Sequence, residues 1–414
     1  MQPWKSPELI RTNRDGVQLT VFDTGQSQIV PVGPHSEEDR SVGIYVCGIT
    51  PYDATHMGHA FTYLTFDLVN RVWRDLGLEV TYIQNVTDVD DPLLERAEKT
   101  GVDWRELAKA ETEQFSRDME ALRIIAPDRF MSVSEAMPLI ESGLKTLMEA
   151  GYLYQIEDEY PDWYFSCEKE SLFGSEFGLS EATMMELFAE RGGDPRRPGK
   201  KHPLDALVWR QTRMGEPSWD SFLGRGRPGW HIQCSVIAHA DSEVIDIQGG
   251  GTDLIFPHHE ICASICRVLT GESMAHAYVH SAMVGLDGEK MSKSKGNLVK
   301  VAELINEGID PMVIRVALLS HHYRSEWTWT TSEVKKAEDR LQMWSQARHG
   351  STSIDFSDYA SQIRGYLRED LHADQALQVL DTWSTLSLAA TTDHAGAPEN
   401  MAQVTDYLLG VAIP

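Results

Sequence analysis

The sequence predicts an α/β protein in which a parallel β-sheet is split by a helical insertion and followed by a helical bundle. Strand-like residues 42–46, a helical pattern over residues 57–76 and strand-like residues 80–86 form a βαβ unit, which implies a parallel sheet covered by helices. Strand-like segments return at residues 244–247 and 277–284 after a mostly helical stretch, so the sheet is interrupted. The rest of the chain is helical again.

The elements of the first unit are bounded by residues with clear local preferences. The apolar, β-branched run 42–46 ends at Cys47 and Gly48, as a buried strand would, and Gly77 stands where a helix C-terminus is expected. Asp91 and Pro92 have the order of an N-cap and a first helical residue, which predicts a second helix.

A third helix is predicted where Asp103 and Glu106 form a start like a capping box. An apolar stripe along this helix indicates core packing, and it consists of Leu107, Phe115, Met119 and Leu122.

These segments divide the chain into six parts. The opening residues are rich in Pro, Gly, Ser and Thr, which predicts a loosely ordered arm. The parts are the N-terminal arm (1–40), the first half of the sheet domain (41–105), a mainly helical insertion (106–203), the second half of the sheet domain (204–300), a linking stem (301–330) and a helical bundle (331–414).

Composition limits the possible functions. The chain has 414 residues, and its 37 Lys and Arg against 63 Asp and Glu give a net charge of −26. This charge counts against a dedicated nucleic-acid or anionic-membrane binder, although it allows a local basic loop. No apolar run approaches the roughly 20 residues of a membrane span, and the N-terminus lacks a signal-peptide pattern, so we expect a cytoplasmic protein. Five cysteines without a CxxC pair argue against a disulfide framework.

The first candidate functional segment is 55–59, which lies where the helix after the first predicted strand begins. His56 and His59 lie three residues apart, so they share one face of the helix start, and Gly58 between them allows close approach to the backbone. A helix N-terminus also attracts phosphate. The alternative is that both are ordinary histidines at a helix start.

The second candidate is the segment 287–297, which carries three lysines and two serines between glycines in an otherwise acidic chain. Such a loop is suited to neutralise phosphate charge that develops on a leaving group. Taken alone, the segment is more typical of a solvated surface loop.

Together the two segments, HMGH at 56–59 and KMSKS at 290–294, resemble the paired HIGH and KMSKS motifs of class I aminoacyl-tRNA synthetases. The resemblance narrows to cysteinyl-tRNA synthetase at four further segments, namely 45–53, 85–91, 229–235 and 246–260. It covers most of residues 41–330. It implies a class I synthetase-type Rossmann nucleotide-binding domain, split by the helical insertion and followed by the C-terminal helical bundle.

In that family one zinc ion binds the thiolate of the substrate cysteine, and its ligands map onto Cys47, Cys234 and His258. Two thiolates and an imidazole are suitable zinc ligands, and an open position can accept another thiolate. Without the resemblance, buried structural cysteines would be the favoured interpretation. Cys262 stands where the family usually has a carboxylate ligand; it is either a fourth ligand or a non-ligand, and we expect three ligands and about one zinc per chain. His259, next to His258, could orient a metal ligand without binding the metal itself.

The resemblance also implies roles for other residues. His56, His59, Lys290 and Lys293 would stabilise the phosphates of Mg-ATP and the departing pyrophosphate. The positions that would contact substrate and adenylate are Cys47, Gly48, Ile49, Thr50, Thr62, Asn85, Val86, Thr87, Trp230, Gly251, Thr252, Asp253 and Val284. Alternatives remain for some of them, since Val284 could be a buried strand residue and Asn85 or Thr87 a strand-end cap.

Residues 190–195 read ERGGDP, which resembles a motif of the mycothiol-pathway cysteine ligases, relatives of cysteinyl-tRNA synthetase. From Thr331 onward the chain has six Lys and Arg but twelve Asp and Glu. This negative charge makes the C-terminal part poorly suited to hold an anticodon. Trp344, Trp383, Tyr359 and Tyr366 in this part are better explained as the core of a bundle.

The resemblance therefore implies ATP-dependent ligation of L-cysteine to the amine of glucosaminyl-inositol through a cysteinyl adenylate, with release of AMP and pyrophosphate. The small-molecule partners would be L-cysteine, ATP and glucosaminyl-inositol, with no nucleic acid or membrane, and the protein would be a monomer. The alternatives are a cysteinyl-tRNA synthetase with a reduced anticodon-binding region and a catalytically silent binding protein.

Overall fold

The computed structural model describes residues 1–9, 18–36, 40–240, 245–286 and 298–414, together with the backbone of residues 289 and 290. Its first element is an antiparallel hairpin of β1 (Leu19–Asp23) and β2 (Gln28–Val32). Leu19 and Val21 are fully buried, so the prediction of a loosely ordered arm over residues 1–40 is wrong for this hairpin. The alternation of apolar residues in β1 fixes its inner face, a signal that the turn-forming residues around it obscured.

The first half of the central sheet follows in the predicted order. Its elements are β3 (Ser41–Ile49), α1 (Met57–Asp75), β4 (Glu79–Val86), α2 (Asp91–Thr100), α3 (Trp104–Ala121) and β5 (Arg129–Ser132). Asp103 caps α3 as predicted, because its carboxylate accepts hydrogen bonds from the backbone N–H groups of Arg105 and Glu106. The N-cap of α2 is Asp90 rather than Asp91. Two adjacent aspartates can each cap a helix, so the sequence could not choose between them.

The insertion is less helical than predicted. Its elements, and those that lead out of it, are α4 (Met137–Glu149), β6 (Leu153–Gln155), β7 (Trp163–Phe165), α5 (Glu181–Glu190), β8 (Ala206–Gln211) and β9 (Gly226–Pro228). Strands β6 to β9 form an antiparallel four-stranded sheet in sequence order. Three of its strands, β6, β7 and β9, have only three residues, too few to show a period of two in the sequence.

The second half of the central sheet contains the glycine run. Its elements are α6 (Trp230–Ala238), β10 (Ile247–Gly251), α7 (Glu260–Thr270) and β11 (Ala277–Ser281). The next two strands, β12 (Val284–Leu286) and β13 (Glu289–Lys290), belong to a separate three-stranded sheet. The strand predicted at residues 244–247 begins only at Ile247 and continues through the glycines, and residue 244 lies outside the described residues. A Cβ on Gly249 would lie 2.4 Å from the ring of Phe66, so a larger residue would not fit against α1. The strand predicted over 277–284 is divided between β11 and β12.

The central sheet has five parallel strands in the order β11-β10-β3-β4-β5. The chain moves outward from β3 through β4 to β5 and then returns to the other side of β3. The order therefore reverses between β3 and β10, and the carboxyl ends of these two strands form the crevice in which open α/β sheets bind ligands.

The C-terminal part is a helical bundle that packs on the sheet domain. Its elements, with the short segment before them, are α8 (Val301–Asn306), α9 (Pro311–Leu319), β14 (Trp327–Trp329), α10 (Thr331–Arg348), α11 (Ser357–Arg368), α12 (Ala373–Ala389) and α13 (Ala397–Leu409). Trp344 and Trp383 are buried in the bundle core, as predicted, and Tyr359 and Tyr366 pack half-buried against it.

A buried charge cluster fastens the bundle to α1. The Asp67 carboxylate accepts hydrogen bonds from Arg71 Nε (2.7 Å), from Arg315 and from the Ile125 N–H (2.8 Å). Burial alone would raise the pKa of Asp67, but the two arginines outweigh it and hold the pKa below its usual value. Arg315 Nε also donates to the Leu409 carbonyl at the end of α13 (2.7 Å). None of the helices in the described part of the chain has the length and apolar composition needed to cross a bilayer.

Candidate active site

The site lies at the carboxyl ends of β3 and β10. The ladder between β3 and β4 shifts between Val46 and Ile49, so Cys47 and Gly48 leave the regular alternation. A Cβ on Gly48 would lie 1.5 Å from the Asn85 carbonyl oxygen, which makes glycine a requirement of this close approach. The irregular strand end places Cys47 at the switch point of the sheet.

Asn85 at the end of β4 organises the strand ends. Its Oδ1 accepts hydrogen bonds from the Tyr45 hydroxyl (2.9 Å) and the Gly48 N–H (2.8 Å), and its Nδ2 donates to Thr87 Oγ1 (3.0 Å). Asn85 and Thr87 thus have the strand-end role that the sequence left as an alternative. Contact of Gly48, Asn85 and Thr87 with an adenylate stays a prediction.

Three buried side chains from distant parts of the chain converge here. One ligand atom from each of Cys47, Cys234 and His258 lies within 4.8 Å of the other two. Cys47 lies two residues before the end of β3, Cys234 lies in α6, and His258 precedes α7. Two buried thiols and a buried imidazole are the donor set of a zinc site with one position left open, so these residues fit the ion that the resemblance implies.

The two thiols differ in acidity. A hydrogen bond from Cys47, together with the nearby His258, holds the pKa of Cys234 well below its usual value despite burial. Burial and the neighbouring Cys234 raise the pKa of Cys47. The pair therefore already stabilises one thiolate, which is the form that binds a metal.

Cys262 belongs to a second, overlapping cluster with His231 and His258, again within 4.8 Å. Its thiol donates to the His231 carbonyl (3.4 Å) and lies 3.8 Å from His258 Nε2. Burial and the charge of Cys234 raise the pKa of Cys262, which favours a neutral thiol. These contacts favour the assignment without Cys262, although both clusters share His258.

Neighbouring histidines surround the cluster. His259 Nε2 lies 3.2 Å from Cys47 Sγ, its Nδ1 lies 2.8 Å from His280 Nε2, and His280 Nδ1 lies 2.9 Å from Thr24 Oγ1. Burial lowers the pKa of His280 to about 3, so its ring is neutral. The sequence missed His231, His280 and Thr24. His231 had a signal, because it stands inside the segment 229–235, whereas the hairpin that carries Thr24 was not predicted.

The HIGH-type histidines lie at the start of α1. His56 is the N-cap of this helix, and its ring stacks on His59 with centroids 3.8 Å apart. The segment after KMSKS runs beside them, since the Met57 N–H donates to the Val299 carbonyl (2.9 Å) and the Val301 N–H to the Thr55 carbonyl (3.0 Å). Lys293 and the side chain of Lys290 lie outside the described residues.

The remaining predicted residues occupy different positions. Thr62 Oγ1 lies 2.7 Å from Ser281 Oγ, and a Cβ on Gly251 would lie 2.6 Å from Asp253 Oδ1, so the Asp253 carboxylate folds back over the end of β10. Thr252 begins the turn after β10, and Trp230 begins α6. Ile49 and Val86 are buried, and Thr50 is half-buried. Val284 is a buried residue of β12, outside the central sheet, as its alternative proposed.

Comparison with known proteins gives the same family. Residues 34–339 match the family described as tRNA synthetases class I (C) catalytic domain. The L-cysteine:1D-myo-inositol 2-amino-2-deoxy-alpha-D-glucopyranoside ligase of Nocardiopsis dassonvillei is 49% identical over 414 residues, with 100% of both chains covered. The protein of the same name from Streptosporangium roseum is 50% identical over 415 residues, again with 100% of both chains covered. The chain belongs to this ligase family.

Solved structures confirm the predicted fold class for this member of the ligase family. Methionyl-tRNA synthetase of Mycobacterium tuberculosis bound by methionyl-adenylate has a TM-score of 0.62 at 16% identity, covering 90% of this chain and 89% of that one. Leucyl-tRNA synthetase of Agrobacterium radiobacter K84, in a ternary complex, has a TM-score of 0.66 at 12% identity, covering 92% and 84%. The fold is that of class I synthetases.

Proposed function

We propose that this protein uses ATP to join L-cysteine to the amine of glucosaminyl-inositol, through a cysteinyl adenylate. The observation that carries the proposal is the buried cluster of Cys47, Cys234 and His258 at the switch point of a class I synthetase-type sheet. Its sulfur-rich donor set suits recognition of a thiol substrate. The names of relatives about half identical over the full chain support the choice of acceptor.

The metal in this proposal is one zinc ion per chain, held by Cys47, Cys234 and His258. When bound, the ion supplies a soft Lewis-acid position that takes the substrate thiolate and discriminates against serine, whose hydroxyl is a poor zinc ligand. The chain's own contribution is to present its donors in a buried pocket. Trp230, whose indole ring lies on the His258 ring, closes one wall of that pocket.

The first chemical step forms the adenylate from Mg-ATP. A carboxylate oxygen of cysteine attacks the α-phosphorus, and the bond from that phosphorus to pyrophosphate breaks. In this proposal the N-terminus of α1, which His56 caps with its ring stacked on that of His59, stabilises phosphate charge, and Lys290 and Lys293 have the same role. Asp253 beside Gly251 is suited to bind ribose hydroxyls or the substrate ammonium.

In the second step the amine nitrogen of glucosaminyl-inositol attacks the carbonyl carbon of the adenylate, and the bond to phosphate breaks with release of AMP. The reactants are small molecules, and the acidic C-terminal bundle argues against a tRNA partner, since phosphate contacts need clustered Lys and Arg. We place the reaction in the cytoplasm, where ATP is supplied. We propose that the protein acts as a monomer.

Cysteine-dependent exchange between ATP and pyrophosphate tests the first step, and the acceptor is then varied. We expect exchange with L-cysteine and not with L-serine, followed by AMP release when glucosaminyl-inositol is added. Transfer to tRNA alone would replace the proposal with a cysteinyl-tRNA synthetase of reduced size, and such activity would fall steeply with salt. Absence of exchange by the zinc-loaded protein would reject both enzymes and leave a binding protein.

A further inference from the structure

The ERGGDP segment forms a sharp turn at the end of α5. Gly192 has a φ of +86°, in the left-handed region that favours glycine. The Gly193 N–H donates to the Phe188 carbonyl (2.8 Å), and a Cβ on Gly193 would lie 2.4 Å from the Phe188 ring. The two glycines therefore allow the chain to fold back tightly on α5.

The far side of this turn is anchored to the small sheet of the insertion. Asp194 accepts a hydrogen bond from the Tyr164 hydroxyl on β7, and its Oδ1 accepts one from Lys200 Nζ (2.8 Å). Lys200 Nζ also donates to the Pro203 carbonyl (2.7 Å) and is held over the Phe188 ring. Because the turn is fixed at both ends, the side chain of Arg191 at its start points in a defined direction.

Arg191 reaches from the insertion to the central site. Its Nη1 donates to the Asp253 carbonyl (2.5 Å) and to the Phe256 carbonyl (2.6 Å). These carbonyls lie in the short segment between the glycine run of β10 and His258. A guanidinium that donates to two carbonyls is a strong, charge-assisted clamp on this segment.

The geometry points to Arg191 as a positioning residue for adenylation, which rests on the proposed function. By holding the carbonyls of Asp253 and Phe256, it sets where the Asp253 carboxylate meets the nucleotide. It also fixes the approach of the chain to His258. The insertion thus contributes one residue of the ERGGDP motif to the alignment of the site, while the motif's other residues hold that arginine in place.

The test compares Arg191→Ala and Arg191→Lys with a matched control, Arg196→Ala, which removes an exposed arginine of the same loop. For Arg191→Ala we expect kcat/KM for ATP in the exchange assay to fall about 100-fold, as for other misplaced binding groups. The loss should lie mainly in KM for ATP, with KM for cysteine changed much less. Arg191→Lys should retain part of the activity, and added guanidinium should restore part of it to Arg191→Ala.

Two readouts separate positioning from a general loss of structure. The thermal midpoint of Arg191→Ala should stay close to that of Arg196→Ala, and the visible spectrum of its Co²⁺-substituted form should differ from that of the parent protein. Wild-type kinetics in Arg191→Ala would overturn the inference, as would a loss of kcat with unchanged KM and a lowered midpoint. Inactivity of the parent protein itself would instead reject the proposed function.

Discussion

The indole ring of Trp230 stacks on the imidazole ring of His258, with centroids 4.1 Å apart and 13° between the ring planes. His258 is held a second time by His231, whose Nδ1 lies 3.0 Å from the Nδ1 of His258. The two contacts fix the orientation of the one imidazole that both candidate metal clusters share. Contacts of this kind orient metal ligands and raise affinity for the ion.

Trp230→Ala should therefore weaken zinc binding about 10- to 100-fold, because the His258 ring loses the surface that holds it. Trp230→Phe keeps an aromatic face and should bind zinc nearly as well as the parent protein. Competition with a chromophoric chelator measures both affinities. Equal affinities for the Ala variant and the parent protein would show that the stack has no such role.

Replacing single cysteines should identify the metal ligands. Cys234→Ser should lose most of its zinc, because it removes the thiolate that the structure stabilises best, whereas Cys262→Ser should keep about one ion per chain. Elemental analysis of the purified proteins gives the stoichiometry. Zinc-free Cys262→Ser protein would favour the cluster of His231, His258 and Cys262 instead.

His56→Ala should lower cysteine-dependent exchange about 100-fold, since removal of one group that stabilises developing charge has effects of this size. Its zinc content should not change, because His56 lies at the start of α1 and not in the metal cluster. His394→Ala, at an exposed position after α12, serves as the matched control. A parallel loss of zinc and activity in His56→Ala would contradict the role given to His56.

Asp118 should make the folded protein less stable as the pH rises. Burial in α3 raises its pKa to about 6, and the hydrogen bond from Gln114 Nε2 (2.8 Å) offsets only part of this effect. The unfolded chain loses this proton near pH 4, so the folded state binds more protons between about pH 4 and pH 6 and stability falls over that range.

Between pH 5 and pH 7.5 this group should cost roughly 1 kcal/mol of unfolding free energy. Asp118→Asn keeps an acceptor for Gln114 and should lack that part of the pH dependence, whereas Glu120→Gln, on an exposed position of the same helix, should retain it. Denaturant unfolding of the three proteins at both pH values measures the difference. An unchanged pH profile in Asp118→Asn would show that Asp118 is ionised throughout.

Periodicity predicted the central sheet well and the small sheet poorly. The β3–α1–β4 unit shows long apolar patterns, so its elements were located to within a few residues. Strands β6 and β7 have three residues each and depend on pairing partners distant in sequence, such as Trp209 opposite Trp163. Such strands are stabilised by tertiary contacts, which a local pattern does not contain.

Site residues could be predicted from the sequence only where they belong to a motif that resembles a known family. Cys47 and Cys234 are far apart in sequence and meet because α6 packs against β4, which neighbours β3, so spacing gave no indication of the cluster. The resemblance supplied those residues. It gave no role to Arg191, His280 or Thr24, whose contacts depend on how the insertion and the N-terminal hairpin pack on the sheet. The domain boundaries and the roles of the adenylate-contacting residues stay predictions.

The path of one oxygen atom tests the central claim most directly. L-cysteine labelled with ¹⁸O at both carboxyl oxygens is incubated with the zinc-loaded protein, Mg-ATP and glucosaminyl-inositol. Mass spectrometry then measures the ¹⁸O content of each product. Because a carboxylate oxygen attacks the α-phosphorus and leaves with it, AMP should carry one ¹⁸O atom and the new amide the other. Unlabelled AMP, or label in inorganic phosphate with ADP as the second product, would contradict a cysteinyl-adenylate intermediate.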